Sequence, residues 1–276
     1  MMNITEYLSI KNLVRKTKIH YARYRRKLLN PLCTPNPNPI FILGNQKSGT
    51  TAIAALLAHA TKQSVTLDME DMEGYTNLYL HQGKLTFQQF INRNRYDFSK
   101  TIIKEPWLTF YIEELKKFFP QAVYVFIVRD PRENIRSILN RLQLPGNLTD
   151  VPPDMLKSIK PGWQLVLKGD WMGLAGDNYI EVLAHRWNKA VDVYLQHKDQ
   201  MFLVKYEEFV ANKEGTIHHL AQLLQLPVQQ SIRHLVDKQF QPKGKHSISL
   251  VDFFGEQNLN KINTICKSRM VQLGYK

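Results

Sequence analysis

Eight consecutive residues carry the groups best suited to gripping an oxyanion: Gly44-Asn45-Gln46-Lys47-Ser48-Gly49-Thr50-Thr51. Lys47 supplies a mobile positive charge, and Ser48, Thr50 and Thr51 supply hydroxyl donors. Gly44 and Gly49 let the backbone turn and come close to a phosphate. The apolar run before them, Ile40-Phe41-Ile42-Leu43, reads as a buried strand bounded by Pro39 and Gly44. After them, Ala52 to Ala60 places Ile53, Leu56, Leu57 and Ala60 at helical spacing. Strand, small polar loop and helix make a phosphate cradle, because loop amides and the open N–H groups of the helix start can converge on one anion.

The order of residues narrows the choice of anion. A Walker A loop places its lysine directly after the last glycine, followed by a Ser or Thr that holds magnesium. Here Lys47 precedes Gly49 by two positions, so that pattern fails. A second grip is readable further on. Ala122 to Val128 is apolar throughout, which predicts a central strand covered on both faces, and Arg129 closes it. Asp130 suits a helix N-cap, Pro131 the first helical position and Glu133 a capping box. Ser137 then lies about two turns into the helix, so it and Arg129 can hold one phosphate from two sides.

These elements imply a frame. Ser64 to Leu67 reads as a short strand ending in Asp68-Met69-Glu70-Asp71-Met72-Glu73, either a solvated loop or a ligand-facing one, since ligands of parallel sheets sit at the carboxyl ends of strands. Thr76 to Arg95 reads as helical. Thr101-Ile102-Ile103 is a further strand, ending in Lys104-Glu105-Pro106 and followed by a helix over Leu108 to Phe119. Residues 143–180 are rich in Gly and Pro and contain Trp163 and Trp171, as in an insertion or lid over a site. A helix over Tyr179 to His197 contains Arg186 and Trp187. A strand over Met201 to Val204 leads into Lys205-Tyr206-Glu207-Glu208-Phe209. Then come a helix over Lys213 to Leu224, the basic loop Lys243-Gly244-Lys245-His246 and a tail helix over Leu259 to Leu273.

The 276 residues carry a net charge of +13, which suggests polyanionic partners, and much of the excess lies in the first 27 residues. Residues 1–38 read as a basic helical extension with a Pro/Asn linker, and residues 39–276 as one domain. The extension is either a solvated helix or a peripheral contact to an anionic membrane surface. Cys33 and Cys266 show no metal spacing and fit a reducing compartment. No apolar run reaches the ~20 residues that span a bilayer, and no signal-peptide h-region is present, so a cytoplasmic location is the expectation. The nine histidines do not cluster.

In kind and in order, these motifs resemble those of sulfotransferases that use 3′-phosphoadenosine 5′-phosphosulfate (PAPS), over nearly all of residues 40–274. Lys47-Ser48-Gly49-Thr50-Thr51 resembles the family's 5′-phosphosulfate loop. Val128-Arg129-Asp130-Pro131-Arg132 with Ser137 is similar to its 3′-phosphate motif. Lys104-Glu105-Pro106 is similar to the Lys-Asp-Pro of tyrosylprotein and the Lys-Thr-Pro of heparan sulfotransferases. Lys205 to Phe209 and the ending Cys266 to Tyr275 are weaker matches.

The resemblance implies an α/β, three-layer P-loop-like fold, a central parallel β-sheet flanked by helices, with PAPS across the carboxyl ends of the strands, adenosine 3′,5′-bisphosphate as product, and no metal. By position it gives Lys47 and Lys104 catalytic roles. It gives Ser48, Gly49, Thr50 and Thr51, with Lys47, the 5′-phosphate, and Arg129 and Ser137 the 3′-phosphate, with Lys245 a weaker candidate. Tyrosylprotein and heparan members use a glutamate after the second strand as base, where Glu70 lines up; Asp68 and Glu105 are the alternatives. The charge of Lys104 is expected to hold the Glu105 carboxyl down and make it a poor base. Met72 stands where tyrosylprotein enzymes carry an arginine, a departure from protein-tyrosine specificity.

The reading is therefore an enzyme that moves a sulfuryl group by in-line displacement onto an acceptor hydroxyl, less readily an amine. A small-molecule, lipid-linked or saccharide acceptor and any oligomeric state remain open. One rival is an ATP-dependent P-loop kinase. The other is a non-enzymatic basic protein that binds nucleic acid or membrane, which leaves the loop and the Arg129–Ser137 pair unexplained; nucleic acid is not the expected partner.

Overall fold

The longest apolar strand, Val123–Val128 (β4), lies beside Ile40–Gly44 (β1) in the interior of a parallel sheet. The structure, a computed structural model, describes residues 23–237 and 248–276. Val65–Thr66 (β2), Ile102–Lys104 (β3) and Met201–Lys205 (β5) complete five strands in the order β2-β3-β1-β4-β5. All four pairings are parallel.

Side chains alternate across a strand, so β1 feeds two cores. Phe41 and Leu43 enter one with Phe126, Ile135, Leu183 and Trp187. Ile40 and Ile42 enter the other with Ile53, Leu56, Leu57 and Ile217. The covering helices are Thr50–Thr61 (α1) and Lys213–Leu223 (α11) on the second face. On the first are Pro131–Leu142 (α6), Tyr179–Gln196 (α9) and Leu250–Gln272 (α12). This is the expected three-layer α/β fold with a P-loop-like order of elements.

Smaller elements differ from their sequence reading. The expected helix over 76–95 is three: Thr76–His81 (α2), Phe87–Arg93 (α3) and Arg95–Phe98 (α4). Gly83 breaks the first by adopting φ 69°, and a Thr86–Gln89 capping box starts the second. The stretch after β3 opens as a 3₁₀ segment, Pro106–Tyr111, because Pro106 follows the Glu105 cap; only Ile112–Phe118 (α5) is α-helical. Residues 143–180 hold Pro153–Lys157 (α7) and Pro161–Leu167 (α8). Tyr206–Ala211 (α10) follows β5 directly. The tail helix begins at Leu250, capped by Ser249, and bends where Gly255 takes φ 69°. Residues 23–29 are helical and tied to the domain through Arg23–Glu70 at 3.0 Å and Arg26–Asp97 at 3.1 Å. Among the described residues no helix is long and apolar enough to cross a membrane.

Gly44 sits where β1 turns into the loop, at φ 140°, and a Cβ there would lie 2.3 Å from the Ile127 carbonyl oxygen of β4. That oxygen belongs to a paired backbone and cannot swing aside. Gly44→Ala is expected to cost about 2–5 kcal/mol, the strain of positive φ plus overpacking. Urea unfolding measures it, and a loss under ~1 kcal/mol would show that β1 and β4 can part at this point.

Candidate active site

The loop after β1 is held in shape from three directions. Thr109, fully buried in the 3₁₀ segment, accepts from Gly44 N at 2.9 Å and donates to Gly44 O at 3.1 Å. Asn134 of α6, also fully buried, accepts from Asn45 Nδ2 at 2.9 Å and donates to Gln46 O at 2.9 Å and Ser48 Oγ at 3.0 Å. From α9, Arg186 donates to Gln46 Oε1 through Nε at 3.3 Å and Nη2 at 2.9 Å. So clamped, the backbone takes positive φ at Lys47 (68°) and Gly49 (94°). Gly49 is the N-cap of α1, whose first amides open onto the loop. A Cβ on Gly49 would sit 2.2 Å from the Tyr206 ring, so the close packing of Tyr206 also requires glycine.

Arg129 closes β4. Arg129 donates to Lys47 O at 3.3 Å and to Glu133 at 3.3 Å, and its guanidinium lies 4.5 Å from the Tyr206 ring centre. Its own carbonyl accepts from Trp187 Nε1 at 2.9 Å. Arg186 and Trp187, neighbours on α9, thus hold the first loop and the second strand end respectively.

Lys47, Gly49, Thr50, Thr51, Arg129 and Ser137 all line one cavity of about 420 Å³. Ser48 does not: its hydroxyl accepts from Asn134 and its N–H donates to Asn45 O at 3.2 Å, inside the loop. Lys245 lies outside the described residues. The cavity's apolar lining comes from both cores: Leu56, Tyr206 and Phe209, with Val210, from one. Met69, Met72, Trp107, Trp163 and Val166 come from the other, and Asp68, Glu73, Lys104 and Glu105 also line the cavity. Trp163 arrives on α8, which can approach because Gly162 leaves room against the Met72 and Glu73 carbonyls, where a Cβ would meet oxygen at 2.8 and 2.9 Å.

The three carboxylates proposed as bases separate clearly. Asp68 faces the cavity and accepts from Lys104 Nζ at 2.5 Å. Glu105 is buried, its two oxygens taking Met69 N at 3.0 Å and Trp107 N at 3.2 Å, so it staples two loops together. Glu70 is not among the cavity-lining residues: it opens a 3₁₀ turn, Glu70–Glu73, that turns Met72 inward while Glu70 pairs with Arg23.

Charge here is concentrated. Burial, reinforced by Arg141, Arg129 and Lys104 and opposed by Asp68, pushes the Lys47 ammonium down to about 8. Burial lifts the Glu105 carboxyl to about 7 even though Lys104 pulls the other way. The expectation that Lys104 would keep it low is therefore corrected: desolvation outweighs the neighbouring charge.

Asn134, Arg141 and Thr109 were not singled out by sequence, and Arg186 was named there without a role. The first two were within reach, since 134, 137 and 141 share one helical face with Ser137. Arg186 and Thr109 act from distant elements and leave no local signal.

With this geometry in view, the chain can be set beside known proteins. The sequence profile described as "Sulfotransferase family" matches residues 68–230, and the chain belongs to that family. No protein of curated function matches it. Among solved structures it is similar to sulfotransferase STF9 from Mycobacterium avium, with TM-score 0.58 and 13% identity over 92% of this chain and 81% of that one. It is also similar to mouse sulfotransferase SULT7A1, solved in complex with PAP, with TM-score 0.51 and 13% identity over 88% of each chain. At such identities the likeness is one of fold.

Lys47 gives the loop a two-signed pH response. It is charged below about 8, so affinity for sulfate, a dianion throughout this range, should fall as pH rises through and beyond that value. The unfolded chain keeps this proton up to 10.5, so between about 8 and 10.5 it binds more protons than the folded one, and Lys47 makes the free protein gain stability with rising pH. Sulfate titrations and melts across this range should move in opposite directions, and Lys47→Met should flatten both. A sulfate affinity indifferent to pH in wild type would rule out a Lys47 role in binding an anion.

Proposed function

We propose that the protein transfers a sulfuryl group from PAPS to an uncharged, largely apolar alcohol or phenol. The observation that carries this reading is the convergence of two separate phosphate grips on one cavity, the Lys47–Thr51 loop and the Arg129–Ser137 pair. A donor with a phosphate at each end of its ribose would engage both; ATP leaves the second grip idle. The apolar wall of Leu56, Tyr206, Phe209 and Val210 suits a nucleobase, and the PAP complex of the similarly folded mouse enzyme supports the same donor.

In the proposed reaction the acceptor oxygen bonds to sulfur while the bond from sulfur to the donor's 5′-phosphate oxygen breaks. Lys47 and the loop N–H groups neutralise the charge growing on that phosphate. Asp68 takes the acceptor's proton, with Lys104 orienting its carboxylate. Asp68 replaces Glu70 in this role because it lines the cavity and Glu70 does not. The acceptor wall of Met69, Met72, Trp107, Trp163 and Val166 favours an apolar ring or chain, and the carboxylates of Asp68 and Glu73 disfavour an acidic saccharide.

Two measurements test this. Arg129→Ala is expected to weaken adenosine 3′,5′-bisphosphate binding by about 1.5–3 kcal/mol, the range for a hydrogen bond to a charged group, while hardly changing AMP binding. Equal losses for both nucleotides in calorimetry would refute the 3′-phosphate assignment. Asp68→Asn is expected to cut turnover by roughly 10²–10⁴-fold with bisphosphate affinity near wild type. The acceptor for that assay comes from screening phenols and alcohols with labelled PAPS. If Glu70→Gln loses turnover and Asp68→Asn keeps it, the base is Glu70.

A further inference from the structure

Arg186 is fully buried and no carboxylate among the described residues pairs with it. Its hydrogen bonds go to Gln46 Oε1 and, at 3.2 Å, to Met172 Sδ, and its guanidinium stacks 4.3 Å from the Trp107 ring centre and 4.6 Å from that of Phe110. Burial brings it down to about 9, so it is still a cation at neutral pH. A buried cation without a counter-ion is costly, and a fold seldom keeps one for stability alone. Gln46 is equally unusual. Arginine only donates, which fixes Oε1 toward Arg186, and the other end of the amide, Nε2, is then a buried donor with no acceptor among the described residues. Gln46 lines the cavity next to Lys47 and is only 6% exposed.

We propose that Arg186 and Gln46 form a buried second tier of the anion site. Arg186 is the positioning residue: it locks the amide so that Nε2 donates to the anion seated in the Lys47 loop, and its uncompensated charge finds its counter-charge in that anion. This deepens the proposed donor reading and rests on it for the identity of the anion. It does not rest on it for the existence of the tier, which any dianion at the loop would reveal.

The decisive variant is Gln46→Glu, nearly isosteric. It gives Arg186 a carboxylate, removes the Nε2 donor and places a negative charge beside the loop. The expected result is a melting temperature at or above wild type with adenosine 3′,5′-bisphosphate and inorganic sulfate each bound at least tenfold more weakly. Arg186→Met, which keeps the apolar stem against Trp107 and Phe110, should likewise lose about tenfold in both affinities without a lower melting temperature. A merely structural arginine would do the reverse, melting lower in Arg186→Met while leaving affinity intact. Wild-type affinity in Gln46→Glu, or a melting temperature several degrees below wild type, overturns the proposal. Wild-type protein that binds sulfate but not the bisphosphate sinks the donor reading instead, and the sulfate arm still decides the tier.

Discussion

The site depends on the close pairing of β1 with β4. Gly44 lies opposite Ile127 in register, so the Lys47–Thr51 loop and Arg129 leave adjacent strands at nearly the same height. The strand order places β1 between β3 and β4, with the chain departing to one side first and the other later. Such a reversal opens a crevice at the carboxyl ends of the strands, and residues of the Lys47–Thr51 loop, with Arg129 and Ser137, line it. Had the pair slipped by one residue, the buried sets Phe41/Leu43 and Ile40/Ile42 would exchange faces, so the two cores that stabilise the fold also fix the distance between the grips.

Around that pairing the protein concentrates positive charge and leaves polar atoms unpaired. Gln46 Nε2, Asn45 Oδ1 and Arg129 Nε are buried without partners among the described residues, all within the loop and its neighbour. Native interiors rarely tolerate this, and where it occurs a water, an ion or a functional role accounts for it. The positive φ of Lys47 belongs to the same pattern, a strained backbone held by Asn134, Thr109 and Arg186. Under the proposed function, the free protein would carry the cost of its anion site in advance, which is how preorganised electrostatics work.

The residues that meet at the cavity were legible in sequence because each set is local: a loop of consecutive residues, and an arginine with a serine on the helix that follows it. The parallel sheet was legible from its continuous apolar strands. What could not be read was tertiary. Glu70 had the better sequence position, but a 3₁₀ turn directs it to Arg23 and leaves the cavity to Asp68. Glu105 looked subdued by Lys104, yet burial, which a sequence does not display, governs it. The short helices of 76–98 escaped the reading because Gly83 and the Thr86 cap each break a pattern that otherwise continues.

The weaker motifs gain a physical role once the contacts are followed. Glu207, within Lys205 to Phe209, accepts from Asp130 N at 2.9 Å through one oxygen and from Tyr275 OH at 2.8 Å through the other. Burial, with Glu207 beside it, pushes the Tyr275 phenol well above its ordinary range, so it remains a donor. Arg132 adds a bond to the Lys276 carbonyl at 2.9 Å. The last residues of the chain therefore brace the turn that presents Arg129, while Tyr206 from the same motif packs between Arg129 and Gly49. Segments scattered from residue 44 to residue 276 act as one unit because each touches a neighbour of the same two grips, and none of these contacts is visible until the strands are brought side by side.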